Sequence, residues 1–285
     1  MDRDEYRELF GDDDDDDDNS DNDDLFDNGG SRDNIPAAPS SDALVLRDPS
    51  VPGLALLPHF ISPTDQARVS FGLHEHVGGS LTAGVRNQSM HFGLPLPPWI
   101  ADIAASIHAH FQSLDPPRDP AHLFDQLIMN GYAPGDGIVP HVDLVRFADG
   151  VAVLSLDAPL VMDVTRVPPG DQQAERAYAG ERLGPVDSVE LFGTKTDDVP
   201  PVATDDEIAE LVAAGPWTHW VTHDWARVLL VPGSLLVLEG DARWRWAHGI
   251  RFATEDWWPM LSGEWRLVPR RPRSSITFRK LIPDE

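Results

Sequence analysis

The stretch that decides the fold is NGYAPGDGIVPHVDLVRF, residues 130–147. Short runs of Val, Ile and Leu alternate here with Pro-Gly and Asp-Gly pairs, which is typical of β-strands joined by tight turns. The same texture covers 124–167 and returns in RVLLVPGSLLVLEGD (227–241) and RSSITFRK (273–280). We therefore expect a chain that is mainly β-sheet.

Two helices are predicted before this region. Ser62, Pro63 and Asp65 match an N-cap, a proline at the first helical position and an acid in the first turn. The second helix should follow Pro98, because apolar residues recur there at helical spacing. They are Trp99, Ile103, Ile107 and Phe111.

His141 and Asp143 can present two metal ligands side by side, because residues i and i+2 of a strand point to the same face. Two histidines and one carboxylate form the ligand set of non-haem iron(II) oxygenases, with the other positions open. The third ligand should come from a distant strand, and the candidates are His219, His223 and His248. We prefer His248, which follows a predicted strand and a Gly-Asp turn, and interpret His219 and His223 as a half-exposed surface pair.

The segment RSSITFR adds a second signal. Arg273, Ser275, Thr277 and Arg279 share one strand face, opposite Ile276 and Phe278. Such a strand usually turns its polar face to water. The alternative is that the arginine face lines a polar cavity, where guanidinium groups bind carboxylates in bidentate fashion.

Charge is concentrated near the N-terminus. Residues 1–40 carry 16 acidic and 3 basic side chains, half of the formal net charge of −26. We predict a disordered acidic tail over 1–42, either solubilising or docking a basic partner, and a folded domain over 43–285. The body is acidic as well, which argues against non-specific duplex binding.

The chain contains no cysteine, which excludes disulfides, thiolate metal sites and cysteine nucleophiles. No apolar run is long enough to span a membrane, and the first residues lack targeting features, so we expect a cytoplasmic or nuclear protein. Residues 168–216 are rich in Pro, Gly, Asp and Glu. They are predicted to be an acidic inserted loop that projects from the domain, with a short helix near 206–214.

Four ordered motifs resemble the AlkB family of iron(II)/2-oxoglutarate dioxygenases. They are Asn130-Gly131-Tyr132, His141-Val142-Asp143, His248 in LEGDARWRWAHGI, and Arg273 with Arg279 around SITFRK. The pattern covers residues 52–280. The resemblance implies an α+β, mainly β fold, a double-stranded β-helix (jelly roll) with N-terminal helices packed on it.

The resemblance also implies a cofactor set of Fe(II), 2-oxoglutarate and O2, and a reaction that hydroxylates or N-demethylates at a C–H bond. The implied catalytic metal ligands are His141, Asp143 and His248. The implied 2-oxoglutarate residues are Asn130, Tyr132, Arg273, Ser275 and Arg279, with Arg273 on the distal carboxylate and Arg279 near the proximal one and Asp143. Residues 81–92 resemble the family's substrate lid.

Two positions depart from the base-repair members of that family. Val145 replaces an acid that contacts the damaged base, and Ser275 replaces an asparagine. GIVPHVDLVRFADGVAVLSL is most similar to the branch that hydroxylates wobble uridines of tRNA. The expected partners are tRNA or single-stranded nucleic acid, with a separate protein partner through the tail, no membrane and a monomeric state. The alternative substrate is a protein side chain or a small metabolite.

Two basic segments could serve a nucleic-acid substrate. Residues 243–246 (RWRW) alternate arginine and tryptophan beside His248, and the competing interpretation is a strand edge that packs its tryptophans in the core. Arg266, Arg270, Arg271 and Arg273 form a basic cluster that could flank a groove. Residues 257–259 (WWP) are either an exposed contact or a core plug.

Overall fold

The computed structural model describes residues 46–47, 50–79, 81, 87–112, 124–167 and 200–282. The predicted acidic tail over 1–42 lies outside the described residues, as do positions 168–199 of the predicted insertion. The strands, in chain order, are β1 (Leu46–Arg47), β2 (Leu54–Leu57), β3 (Gln88–Phe92), β4 (Gln126–Tyr132), β5 (Ile138–His141), β6 (Val151–Ser155), β7 (Leu160–Arg166), β8 (Thr218–Thr222), β9 (Trp225–Leu230), β10 (Leu235–Leu238), β11 (Trp246–Ile250), β12 (Glu255–Pro259), β13 (Trp265–Pro269) and β14 (Arg273–Arg279).

The strands form two antiparallel sheets and a hairpin. The major sheet has the order β1-β2-β10-β6-β14-β4-β3, and the minor sheet has the order β5-β11-β7-β9-β8. Strands β12 and β13 pair only with each other among the named strands. Most neighbours in each sheet, such as β2 and β10 or β5 and β11, come from distant parts of the chain, as they do in a jelly roll. The fold is thus the β-rich jelly roll that the sequence predicts.

Alternation along the central strands separates two apolar cores. In β10, Leu236 packs between the sheets, whereas Leu235 and Val237 pack under the helices. In β14, Ile276 and Phe278 also face the helices. Because successive side chains of a strand point to opposite faces, the arginine face of β14 is turned toward the minor sheet.

Two helices cover the outer face of the major sheet. Helix α1 (Pro63–His76) begins at Ser62, whose hydroxyl accepts a hydrogen bond from the Asp65 amide at 3.1 Å, which confirms the predicted cap. Helix α2 (Pro98–Gln112) buries Ile103, Ile107 and Phe111. No helix among the described residues has the length and apolar character needed to cross a membrane.

The end of the predicted insertion is docked on the hairpin. Helix α3 (Asp205–Ala214) confirms the predicted short helix and begins with a capping box at Thr204. Just before it, Ala203 and Pro201 exchange backbone hydrogen bonds with Leu267 of β13, at 2.8 and 3.0 Å. The expectation that the insertion projects from the domain is therefore wrong for residues 200–216, because the chain here satisfies the free edge of β13.

Candidate metal centre

The two histidines of the site are brought together by the pairing of β5 and β11. His141 lies opposite His248, and Ile138 lies opposite Ile250, so β5 uses one more residue than β11 over this span. This bulge is of the kind that re-aims side chains near active sites. The two imidazole rings end with their centroids 4.5 Å apart.

A glycine allows this close approach. A Cβ atom at Gly249, next to His248, would lie 2.8 Å from the backbone of Pro140. Only glycine leaves room for β5 at this point. Pro140 itself is tolerated because β5 is the edge strand of the minor sheet.

Asp143 completes a compact set of three metal-ligand atoms. One ligand atom each from His141, Asp143 and His248 lies within 4.8 Å of the others. Asp143 Oδ2 is 4.0 Å from His248 Nε2 and has no hydrogen-bond partner, although it is buried. A buried carboxylate oxygen without a donor is costly, and a cation between these three groups would remove that cost. The donor set therefore fits a metal ion.

The protonation states also suit metal binding. His141 Nδ1 lies 2.9 Å from the Val139 carbonyl, which can only accept, so Nδ1 carries a hydrogen and Nε2 is the nitrogen that can bind a metal. Burial, helped by His141, lowers the pKa of His248 to about 3. Burial would raise the pKa of Asp143, but Arg279 and the two histidines outweigh it and lower this pKa to about 2. His248 and Asp143 are thus deprotonated at neutral pH.

Arg279 holds the second oxygen of the carboxylate. Its guanidinium pairs with Asp143 Oδ1 and also lies over the Phe147 ring, 4.8 Å from the centroid. This contact leaves Oδ2 as the oxygen that faces His248. The predicted position of Arg279 beside Asp143 agrees with this arrangement.

The N-terminal end of β14 carries a second group of buried polar side chains, centred on Arg273. Its side chain is about 1% exposed and donates a hydrogen bond to the Ser155 hydroxyl at 3.0 Å, with the guanidinium 5.3 Å from the Tyr132 ring centroid. Ser275 pairs with Asn130 of β4, whose amide oxygen accepts from Gln88 at 2.7 Å. The structure thus gathers four of the predicted 2-oxoglutarate residues, Asn130, Tyr132, Arg273 and Ser275, at one end of β4 and β14.

No carboxylate among the described residues lies within ion-pair distance of Arg273, and its Nε has no hydrogen-bond partner. Burial lowers its pKa. An unpaired buried guanidinium favours an anionic ligand. The arginine face of β14 is therefore buried, with Arg273, Ser275 and Thr277 at 1%, 3% and 7% exposure, and the alternative of a face turned to water is wrong.

The expected nucleic-acid segments have other roles. Residues 240–244 form a short helix, α4 (Gly240–Trp244), so RWRW does not alternate as a strand. Arg243 and Trp246 are buried, at about 1% and 3% exposure, and only Arg245 of the four is exposed. The expectation of a stacking and phosphate-binding stretch is therefore wrong.

The predicted basic cluster is neutralised within the protein. Arg270 makes a bidentate pair with Asp256, both contacts at 2.8 Å. Arg266 pairs with Glu207 and Glu264, and Arg271 pairs with Asp205. These four arginines do not form a free basic groove flank, because three are paired with carboxylates and Arg273 is buried.

The structure also places the two other histidine candidates, one tryptophan of 257–259 and part of the predicted lid. Neither His219 nor His223 belongs to the metal centre. His223 is exposed and pairs with Asp224 at 2.8 Å, and His219 is half-buried with its ring 5.0 Å from that of Trp265, which agrees with the predicted half-exposed pair. Trp258 is a core plug with no exposed area. Of the predicted lid, 82–86 lie outside the described residues, and β3 is the edge strand beside β4.

Sequence reasoning missed Ser155, Gln88 and the role of Arg243. Ser155 could have been found as a small polar residue closing an otherwise apolar strand, VAVLS. Gln88 carries no signal of its own, because its function depends on the pairing of β3 with β4.

Fold and site define the class of this protein, a jelly roll with the two-histidine, one-carboxylate centre of non-haem iron(II) oxygenases. No family model matches the chain. A relative in Arabidopsis thaliana, described as "Alkylated DNA repair protein ALKBH8 homolog", is 27% identical over 73% of this chain and 53% of its own length. A Xenopus tropicalis relative, described as "tRNA (carboxymethyluridine(34)-5-O)-methyltransferase alkbh8", is 28% identical over 55% of this chain and 18% of its own length.

The chain thus spans about half, or less, of the curated relatives it matches. Among solved structures, OsALKBH1 superposes with a TM-score of 0.44 at 14% identity, covering 83% of this chain and all of that one. HygX of Streptomyces hygroscopicus, solved with nickel and 2-oxoglutarate, superposes with a TM-score of 0.44 at 10% identity. The superposition covers 81% of this chain and 83% of HygX. The chain is therefore similar in sequence to AlkB-like proteins, and its donor set of two histidines and one carboxylate is the one that non-haem iron(II) oxygenases use.

Proposed function

We propose that this chain is an iron(II)- and 2-oxoglutarate-dependent dioxygenase that hydroxylates or oxidatively N-demethylates a base of tRNA or another nucleic acid. The observation that carries the chemistry is the convergence of His141, Asp143 and His248 within 4.8 Å around an unpaired carboxylate oxygen. Bound there, iron would supply oxygen activation with 2-oxoglutarate as the reducing cosubstrate.

The chain's own residues prepare this site. Arg279 neutralises Asp143 Oδ1 and fixes the carboxylate, while the Val139 carbonyl fixes the tautomer of His141. At the other end of β14, Arg273 offers an unpaired guanidinium to the distal carboxylate of 2-oxoglutarate, supported by Ser155 and Tyr132. Fork geometry makes arginine the best partner for that group.

The nucleic-acid substrate is supported by the descriptions of the relatives, which name alkylated DNA and a tRNA uridine. Leu144 and Val145, which directly follow the proposed metal ligand Asp143, are 41% and 66% exposed and give the site an apolar rim. Such a rim suits a base that has left its stack. Recognition would be local, because the arginines once expected to contact phosphates are paired or buried.

That same pairing favours a second candidate, a dioxygenase of a protein side chain or a small metabolite. Arg166, Arg266 and Arg271 all lie beside carboxylates. A polyanionic substrate would have to compete with these internal partners. Salt separates the two candidates, because affinity for nucleic acid falls steeply with ionic strength and affinity for a neutral metabolite does not.

The test is a nucleoside mass profile of bulk tRNA after incubation with purified protein, iron(II), 2-oxoglutarate and ascorbate. We expect a hydroxylated or demethylated nucleoside that requires every component and is absent with Asp143→Ala. An unchanged profile, with succinate still formed, would overturn the nucleic-acid substrate while retaining the dioxygenase.

A further inference from the structure

A buried arginine outside the metal-ligand set reaches the loop that carries Asp143. Arg243 lies on α4 and is about 1% exposed. Its guanidinium donates to the backbone carbonyls of Asp143 at 2.9 Å, Leu144 at 2.8 Å and Phe147 at 3.1 Å. One side chain thus gathers three carbonyls from a loop of five residues.

The loop from Asp143 to Phe147 depends on a donor that offers several N–H groups in one plane. The Phe147 amide bonds back to the Leu144 carbonyl at 3.1 Å, so the loop turns sharply after Asp143. The hydrogen bonds to the Asp143 and Phe147 carbonyls are buried and the one to Leu144 is partly buried. Carbonyl dipoles that converge on one point repel one another unless a cationic donor lies between them. Arginine offers five N–H donors in a rigid plane, whereas lysine is a point charge on a flexible stem.

The same residue connects the two ligand-bearing segments. Arg243 precedes His248 by five positions, and α4 leads directly into β11. Its guanidinium lies 4.0 Å from the Trp244 ring centroid, which restricts its rotamers. Arg279 fixes the Asp143 side chain, and Arg243 fixes the backbone from which that side chain projects.

We propose that Arg243 is a positioning residue for metal binding, which locks the Asp143–Phe147 loop onto the α4–β11 segment and so sets the position of the Asp143 carboxylate against His248. The inference rests on the proposed metal site.

The test is a titration of the metal-free full chain with cobalt(II). Calorimetry measures the affinity, and the visible absorption of the bound cobalt reports its coordination. The variants are Arg243→Gln and Arg243→Lys. The matched controls are Arg245→Gln and Arg245→Lys, because Arg245 lies two positions away, is exposed and forms an ion pair with Asp241 at 3.5 Å. Folding of each variant is checked by circular dichroism.

We expect Arg243→Gln to weaken cobalt binding by about 10- to 100-fold, the usual effect of losing an outer partner of a ligand, and to alter the cobalt spectrum. Arg243→Lys should recover only part of the affinity, and both Arg245 variants should match the wild type. A purely structural arginine would lower the melting temperature and leave the affinity and spectrum of the folded protein unchanged.

One outcome would overturn the positioning role of Arg243, and a different outcome would overturn the proposed metal site. Folded Arg243→Lys that binds cobalt as tightly as Arg245→Lys, with the same spectrum, overturns the positioning role, even where Arg243→Gln fails to fold. A folded wild-type chain that binds no cobalt overturns the proposed metal site itself.

Discussion

The two faces of the minor sheet carry buried polar clusters that differ in how their charges are balanced. The inner cluster is His141, Asp143 and His248, and it leaves a buried oxygen of Asp143 without a partner. The outer cluster is Asp163, Arg227, Arg251, Asp256 and Arg270. His248 lies opposite Val164 of β7, and the next residue, Gly249, lies opposite Asp163. Because successive residues of a strand point to opposite faces, His248 and Asp163 lie on opposite faces of the minor sheet.

In the outer cluster, each carboxylate has arginine partners. Asp256 accepts two hydrogen bonds from Arg270, and Asp163 accepts from Arg251 at 2.7 Å and from the Trp225 indole at 2.9 Å. Arg227 donates to the Trp257 carbonyl, which ties the hairpin to the sheet. A closed set of pairs holds elements together, whereas an open set of acceptors is suited to binding a cation.

The largest effect on stability should come from breaking the outer cluster. Asp256→Ala leaves Arg270 buried without its carboxylate, which costs about 3–5 kcal/mol for a buried pair. Urea denaturation measures this change. Asp241→Ala is the control, because Asp241 pairs with exposed Arg245 and should cost under about 1 kcal/mol. Equal effects of the two substitutions would contradict the structural role of the outer cluster.

The inner cluster should make the stability of the metal-free protein depend on pH. The folded pKa of His248 is about 3, against an ordinary value of 6.5. As the pH falls below 6.5, the unfolded chain gains a proton that the folded chain does not, so stability decreases down to about pH 3. The loss is about 1.4 kcal/mol per pH unit.

Thermal or urea unfolding between pH 7 and pH 4 measures that slope. His248→Gln should flatten it, while His223→Gln, at an exposed position, should leave it unchanged. An identical slope in His248→Gln and the wild type would show that His248 is not held neutral by burial.

Metal binding should separate the two clusters directly. A cation that binds only the folded state stabilises it by about 2.7 kcal/mol at a hundredfold excess over its Kd. We expect that increase in the free energy of unfolding of the wild type. We expect the same increase for Asp256→Ala, although that variant is less stable without the metal. Asp143→Ala should show none. An equal thermal shift with Asp143→Ala would place the metal elsewhere.

A smaller effect should follow at Arg273, at the other end of β14 from Arg279. Arg273→Lys keeps the positive charge but loses the guanidinium fork, so we expect the KM for 2-oxoglutarate to rise about tenfold, or about 1.4 kcal/mol. Steady-state kinetics with varied 2-oxoglutarate measure it, with Arg271→Lys as the exposed control. An unchanged KM would remove Arg273 from the cosubstrate site.

The inner cluster was predictable from sequence, and the outer cluster was not. The spacing of His141 and Asp143 specifies a shared direction in extended chain, and the order of motifs adds His248. Period-two alternation likewise predicts which face of β14 carries Arg273 and Arg279. These signals are local or follow a known order.

The partners of Arg270, Arg266 and Arg243 depend on contacts between distant segments. Asp256 is 14 positions from Arg270, Glu207 is 59 from Arg266, and the Asp143 carbonyl is 100 from Arg243. Arginines that are close in sequence therefore look like one basic surface, although folding pairs each with a different group. The helical turn at α4 has the same cause, because packing there overrides the alternation of RWRW.

The most direct test of the central claim is conversion of 2-oxoglutarate to succinate by purified wild-type protein and by Asp143→Ala, each supplied with iron(II), ascorbate and oxygen. We predict iron-dependent succinate from the wild type, slow without a primary substrate, and none above background from the variant. Succinate formed equally by both proteins, or by neither when both are folded, would contradict a dioxygenase centred on His141, Asp143 and His248.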